Sequence, residues 1–183
     1  MKPALVAIPL LALAACSAGK TGAEAAGGHK LAIVNADFEQ AASDGRIPGW
    51  TPMMHADPGS FQMRVDAEGA HQGHGSLHIT RVRNEPYGMI AQDVDAAPYV
   101  GKTLELSAMS KTRDVSENGW KLFLNGNAPD TLIYSEPLTG TQDWQRQSVR
   151  LKVTPLVKRL TIGGILLGGG DAWLDEVELK VLD

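Results

Sequence analysis

The chain has one cysteine in 183 residues, Cys16, so no disulfide can form within it. Aromatic residues are also scarce. Four Trp, three Tyr and three Phe make up 5% of the sequence, few for a surface dedicated to ring stacking. Positive charge is not in excess: 17 Lys and Arg stand against 21 Asp and Glu, a net charge of −4. That balance argues against nucleic acid as a partner. No run reaches the roughly 20 apolar residues of a membrane-spanning helix. Catalytic signatures are missing as well. There is no Gly-x-Ser-x-Gly elbow, no His-Glu-x-x-His, and no thiol beyond Cys16 to serve as nucleophile. The Gly-rich run at 163–170, GGILLGGG, is followed by a strand-like run and not by a helix. It therefore predicts a tight turn at Gly168–Gly170 and not a phosphate cradle.

What is present begins at the N-terminus. MKPALVAIPLLALAAC has one basic residue, Lys2, then an apolar run from Ala4 to Ala14, the pattern of a secretory signal. It closes on Leu13-Ala14-Ala15-Cys16, which resembles the bacterial lipobox, in which small residues fit a peptidase pocket and the cysteine thiol carries lipid. The resemblance implies a signal peptide over 1–15, lipidation at Cys16, and a membrane held through acyl chains alone, more than one of which gives stable anchoring. Ser17 after the cysteine is similar to the uncharged residue of Gram-negative lipoproteins sent to the outer membrane, facing the periplasm or the cell surface. Residues 16–30 are small and Gly/Ala-rich, a flexible tether, and composition shifts at Leu31.

From Leu31 the period is two. LAIVNADFE sets Val34, Ala36 and Phe38 against Asn35, Asp37 and Glu39. FQMRVDA alternates Phe61, Met63 and Val65 with polar residues, TLELSAMSK does so with Leu104, Leu106 and Ala108, and QRQSVRLKV with Val149, Leu151 and Val153. WKLFLNG aligns Trp120, Leu122 and Leu124. Alternation of this kind marks half-buried strands, and turn signals such as DPGS, NEPYG, NGNAPD and LTGTQD separate the runs. No stretch carries a capped helical stripe. Eight to ten short strands with polar turns predict an all-β antiparallel sandwich over 31–183.

Several of these pieces occur in a familiar order: NADFEQ, PGW at 48–50, TGTQDWQRQSV and GGDAWLDEV. They resemble the galactose-binding-like jelly-roll domains that include several carbohydrate-binding modules, through an Asn-x-x-Phe-Glu start, a Pro-Gly-Trp turn, a Trp-x-x-x-x-Val run and a Gly-x-x-Trp-Leu-Asp-x-Val ending. GTQDWQ and LLGGGDAWLDEV are most similar to a small domain found beside transcription-regulator or C-terminal-processing peptidase domains in some bacterial proteins, although neither of those larger domains is visible here. The resemblance implies a non-catalytic jelly-roll sandwich that binds a glycan. The alternative is a protein-interaction or envelope-structure module with no sugar ligand. It also implies that Glu39 and Asp175, with Asp37 nearby, match positions that can hold a structural Ca²⁺; the alternative is that these carboxylates cap turns or pair with basic residues.

Two further expectations concern particular side chains. The resemblance assigns Trp50, Trp144 and Trp173 to structural positions. Trp120 and Tyr87, with Arg83 and Asn125, are then expected to line any sugar-binding cleft, where aromatic planes stack on sugar rings and polar groups take the hydroxyls. Tyr134, Arg81, Asn84 and Asn127 are further candidates. His71, His74 and His78 have helical spacing, but a strand turns His78 away from Leu77 and Ile79 and leaves His71 and His74 in a turn. Surface and turn histidines are the expectation, with a metal site built on His71 and His74 as the alternative.

Overall fold

The structure is a computed structural model that describes residues 28–183. The signal sequence, Cys16 and all but the last three residues of the tether lie outside the described residues. Among the described residues ten strands follow one another: β1 (Lys30–Leu31), β2 (Thr51–Met54), β3 (Phe61–Asp66), β4 (Ser76–Arg81), β5 (Tyr87–Asp95), β6 (Thr103–Asn125), β7 (Leu132–Tyr134), β8 (Leu138–Lys152), β9 (Arg159–Leu167) and β10 (Asp171–Val181). One short 3₁₀ turn, Ala97–Tyr99, precedes β6. All pairings are antiparallel. The protein is an all-β antiparallel sandwich, as the alternation predicts, in the jelly-roll form that the resemblance implies.

β6 organises the sandwich. Its first half, from Leu104 to Arg113, pairs with β10, and Thr103 to Ser110 pair with β8 on the other side. Its second half, Trp120 to Asn125, pairs with β9, and Phe123 to Asn125 also pair with β7. The same strand therefore belongs to both layers. The first sheet reads β3-β4-β10-β6-β8 and the second β2-β5-β9-β6-β7. The crossover segment holds Asp114 and Gly119 at positive φ, and the β6–β8 register shifts on either side of Val115. Such irregularities bend a strand and let it change layers.

Between the sheets, alternate residues interdigitate. Leu77, Ile79, Leu104, Leu106, Ala172 and Leu174 come from the first sheet; Ile90, Leu160, Ile162, Leu122 and Leu124 come from the second. Two rings lie over glycines, Phe61 across the gap and Trp120 on the neighbouring strand of its own sheet. Phe61 lies where a Cβ of Gly88 would stand, and Trp120 where a Cβ of Gly164 would stand, at 2.4 and 2.2 Å. Any side chain at either glycine would overlap an aromatic ring in a core with no spare volume.

The N-terminal segment departs from the alternation. Pairing starts at Lys30, opposite Lys180, and ends at Leu31. Residues 34–37 form a turn in place of the strand expected through Glu39. Asn35 and Phe38 both have φ near +50°, and the Asn35 side chain closes the bend on the amide and carbonyl of Gln40. Asn tolerates the left-handed region and its amide replaces a ladder partner, so polar Asn35 overrides the β-like pattern around it. Val34 is left exposed, and Phe38 tucks in against Trp50 with ring centroids 5.1 Å apart.

Candidate functional site

The outward face of the second sheet carries a groove. The register aligns three rows across it, about 7 Å apart along the strands. The middle row is Tyr134, Phe123, Gly163, Ala91 and Thr51. On one side run Leu132, Asn125, Thr161 and Asp93; on the other, Lys121, Ile165, Met89 and Met53. Gly163 and Ala91, the smallest residues, form the trough. Phe123, Ala91 and Ile165 are buried there as a second apolar cluster, separate from the main core and packed by Met53, Met89, Tyr87 and Leu167. The groove measures about 380 Å³, within the range of small-ligand clefts.

Its polar end is already ordered. Asn127 at the β6–β7 turn donates from Nδ2 to Thr161 Oγ1 at 3.0 Å, and its backbone N–H donates to Asn125 Oδ1 at 2.9 Å. Thr161 donates in turn to Asp93 Oδ1 at 2.7 Å, and Arg159 reaches Asp93 Oδ2 at 3.4 Å. Tyr134 stands beside this network, 43% exposed, with Lys121 Nζ 5.7 Å from its ring centroid. A half-exposed aromatic plane next to a fixed set of amide, hydroxyl and guanidinium groups is an arrangement suited to a polyhydroxylated ring.

On the outward face of the first sheet the central ring is covered by its neighbours. Trp173 is 7% exposed; His78 stacks on it from β4 at 4.5 Å and 15°, and Lys111 and Arg113 approach it from β6 at 5.3 and 5.4 Å. Its indole N–H donates to Asp66 Oδ2 at 2.9 Å. His78 Nε2 meets Asp171 Oδ1 at 2.8 Å, and Arg113 donates to Asp171 Oδ2 at 3.1 Å. Burial lowers the His78 pKa below its ordinary value, although the Asp171 carboxylate pulls it up. Burial would raise Asp171, but hydrogen bonds from His78 and Arg113 outweigh it and hold that carboxyl below its usual range. A hollow of about 340 Å³ adjoins Trp173. A larger one, about 760 Å³, lies between the loop 42–52 and Met63, but its charged pair, Asp44 and Arg46, is closed on itself at 2.6 Å and Trp50 is buried, its indole N–H donating to Asn35 O.

The four residues expected in a cleft separate. Asn125 lines the groove. Tyr87 shares its sheet face and packs on the same apolar cluster one row beyond Met89, outside the groove's lining, where it meets His55 edge-on. Arg83 is not in the groove; it forms a two-pronged ion pair with Asp57, Nε to Oδ2 at 2.6 Å. Trp120 is a core residue with 0% exposure, its indole N–H donating to Ser110 Oγ at 3.0 Å. Alternation explains this last correction: Trp120 has the parity of Leu122 and Leu124, which point inward, whereas Phe123 and Asn125 point out. That parity was the signal for the groove, and Tyr134 faces the same way because it pairs with Phe123. Asp93, Arg159, Thr161, Met89 and Ile165 join the site only through cross-strand pairing, which the local sequence does not display.

Glu39 and Asp175 hold a loop. Asp175 is fully buried; its Oδ2 accepts the backbone N–H of His71 at 2.9 Å and of Gln72 at 3.2 Å, and its Oδ1 accepts that of Glu176 at 2.7 Å. Glu39 Oε1 accepts from His74 and Gly75 at 2.7 and 3.1 Å. Burial raises the Asp175 pKa, against the pull of these amides. Calcium seeks six to eight oxygens. Here amide hydrogens occupy positions a cation would need, and among the described residues no three His, Cys, Asp or Glu side chains converge on one point. The donor set does not fit the expected Ca²⁺. The histidines are dispersed: His71 Nδ1 meets Glu176 Oε2 at 2.7 Å, His74 is exposed, and His78 is buried under Trp173 rather than lying on the surface.

No family model matches the chain. It is 29% identical over 154 residues to an uncharacterized HTH-type transcriptional regulator, YbfP, of Bacillus subtilis, which covers 79% of this chain and 52% of that protein. The chain thus spans about half the length of that curated relative. Among solved structures, the CBM22-1 xylan-binding domain of Paenibacillus barcinonensis Xyn10C superposes with a TM-score of 0.57 at 19% identity, over 86% of this chain and 97% of that one. A CBM61 module solved in complex with β-1,4-galactotriose gives 0.56 at 16% identity, over 81% of this chain and 97% of that one. The fold is that of carbohydrate-binding-module jelly rolls.

Proposed function

We propose that this is a non-catalytic, carbohydrate-binding-module-like protein that holds a glycan in the groove on its second sheet. The observation that carries the reading is Tyr134, exposed beside the Asn125–Asn127–Thr161–Asp93–Arg159 network. Similarity to modules described as xylan-binding, or solved with a galactotriose, supports it. The lipobox resemblance adds a lipid on Cys16 and a place in the outer membrane. The test is a glycan array probed with the full chain as a Cys16→Ser variant, repeated with Tyr134→Ala. Binding that Tyr134→Ala removes, with the melting temperature kept, supports the reading; a blank array refutes it. A second reading, a protein-interaction or envelope-structure module, draws on Leu132 and Ile133, two exposed apolar residues on edge strand β7 next to Tyr134. It predicts a blank array and an envelope protein recovered by crosslinking at position 133. Lipidation is checked separately, because Cys16→Ala is expected to release the protein from membranes.

A further inference from the structure

Over its central strands the groove is polar along one side and apolar along the other, with Leu132 ending the polar row and Lys121 the apolar one. The side formed by Asn125, Thr161 and Asp93, extended by Asn127 and Arg159, offers hydrogen-bonding groups in a fixed arrangement. Across the Gly163–Ala91 trough, Ile165, Met89 and Met53 form a continuous apolar wall with Phe123 at its foot. The two sides stand four residues apart along each strand, about 13 Å. A glycan with one pyranose against Tyr134 would lay a later ring over the Gly163–Ala91 trough, sending one edge to the polar side and the other to the wall. Hydroxyls facing the wall would lose water without gaining a partner, which costs free energy. A methyl group there would instead leave water for an apolar surface and find Met89, an adaptable side chain, to close around it.

Resting on the glycan reading above, we infer that the groove selects sugars bearing a methyl-terminated substituent: a 6-deoxy position, an O-acetyl group or an N-acetyl group. Unsubstituted xylan-like or cellulose-like chains fill the polar half alone. One buried methyl group is worth roughly 10-fold or more in affinity.

The test is titration calorimetry of the full chain (Cys16→Ser) against matched oligosaccharides of equal length: cello-oligosaccharides, chito-oligosaccharides for the N-acetyl arm, acetylated and deacetylated xylo-oligosaccharides for the O-acetyl arm, and fucose- or rhamnose-bearing oligomers against their hydroxymethyl counterparts for the 6-deoxy arm. At least one methyl-bearing member is expected to bind 10-fold or more tightly than its partner. Met89→Gln, which keeps length while adding an amide, is expected to shrink that ratio below about 3-fold. Equal affinity within every pair, with Tyr134→Ala still abolishing binding, overturns the methyl preference and leaves glycan binding standing. No binding by any oligomer overturns both. A preference that Met89→Gln leaves intact also overturns the inference, because it places the methyl group elsewhere.

Discussion

The two outward faces of the sandwich hold similar inventories and use them differently. Each has aromatic rings, cations and carboxylates. On the first sheet, Trp173 has His78 against one flank, Lys111 and Arg113 against the other, and Asp66 on its N–H, so every group it offers already has a partner within the chain. On the second, the polar groups have each other while Tyr134 keeps nearly half its surface in water and the trough beside it is lined by Gly163 and Ala91. Counting aromatic or charged residues would not separate these faces. What separates them is whether a planar side chain has been covered by its neighbours on adjacent strands.

Substitutions that exchange those roles test the contrast. Trp173→Ala should have the largest effect on stability, about 3 kcal/mol by chemical denaturation, since it removes a buried ring, its stacking on His78 and its hydrogen bond to Asp66, while glycan binding by the folded fraction stays unchanged. Loss of binding without loss of stability would mean that the first sheet is the ligand face. Asp175→Asn comes next, at roughly 2 kcal/mol, because an amide NH₂ would face the loop amides that the carboxylate accepts. On the wild type, a chelator is expected to leave the melting temperature unchanged; a drop reversed by added calcium would reinstate a metal there.

A smaller effect is expected from pH. His78 binds its proton less readily folded than unfolded, so the unfolded chain takes up more protons just below the ordinary histidine value of about 6.5, and stability is lost as pH falls through that window. The melting temperature between pH 7 and pH 5 should fall more for the wild type than for His78→Gln, and equal slopes would refute the assignment. Tyr134→Ala should move stability least, within about 0.5 kcal/mol, while removing the glycan signal. A large destabilisation would show that the ring supports the fold.

The fold was legible because a two-residue period needs only local sequence, and the inward faces of β4, β6 and β8 follow it closely, whereas in β10 a bulge at Asp175–Glu178 moves the inward set from Ala172 and Leu174 to Val177 and Leu179. Asn35 shows where the pattern stops: one residue able to take a left-handed conformation ended the alternation while the letters around it still alternated. The site was less legible. Parity alone turns Trp120 inward and Asn125 outward, but an exposed position for a large indole near a turn was the easier reading, and it fails because Gly164, 44 positions later, opens the space that the ring fills. Glu39 and Asp175 were conspicuous as acidic residues at matching positions, yet their partners are backbone amides, which leave no mark on sequence.

β6 threads both layers, and this has consequences for how the molecule opens. Neither sheet can detach while that shared strand stays paired, so partial unfolding of one layer alone is denied to the chain. Amides at Leu104–Ala108 and at Leu122–Leu124 should then exchange with deuterium at the same slow rate, through one all-or-none event. The groove's floor would inherit the rigidity of the whole body, leaving only the rims to adapt to whatever settles there.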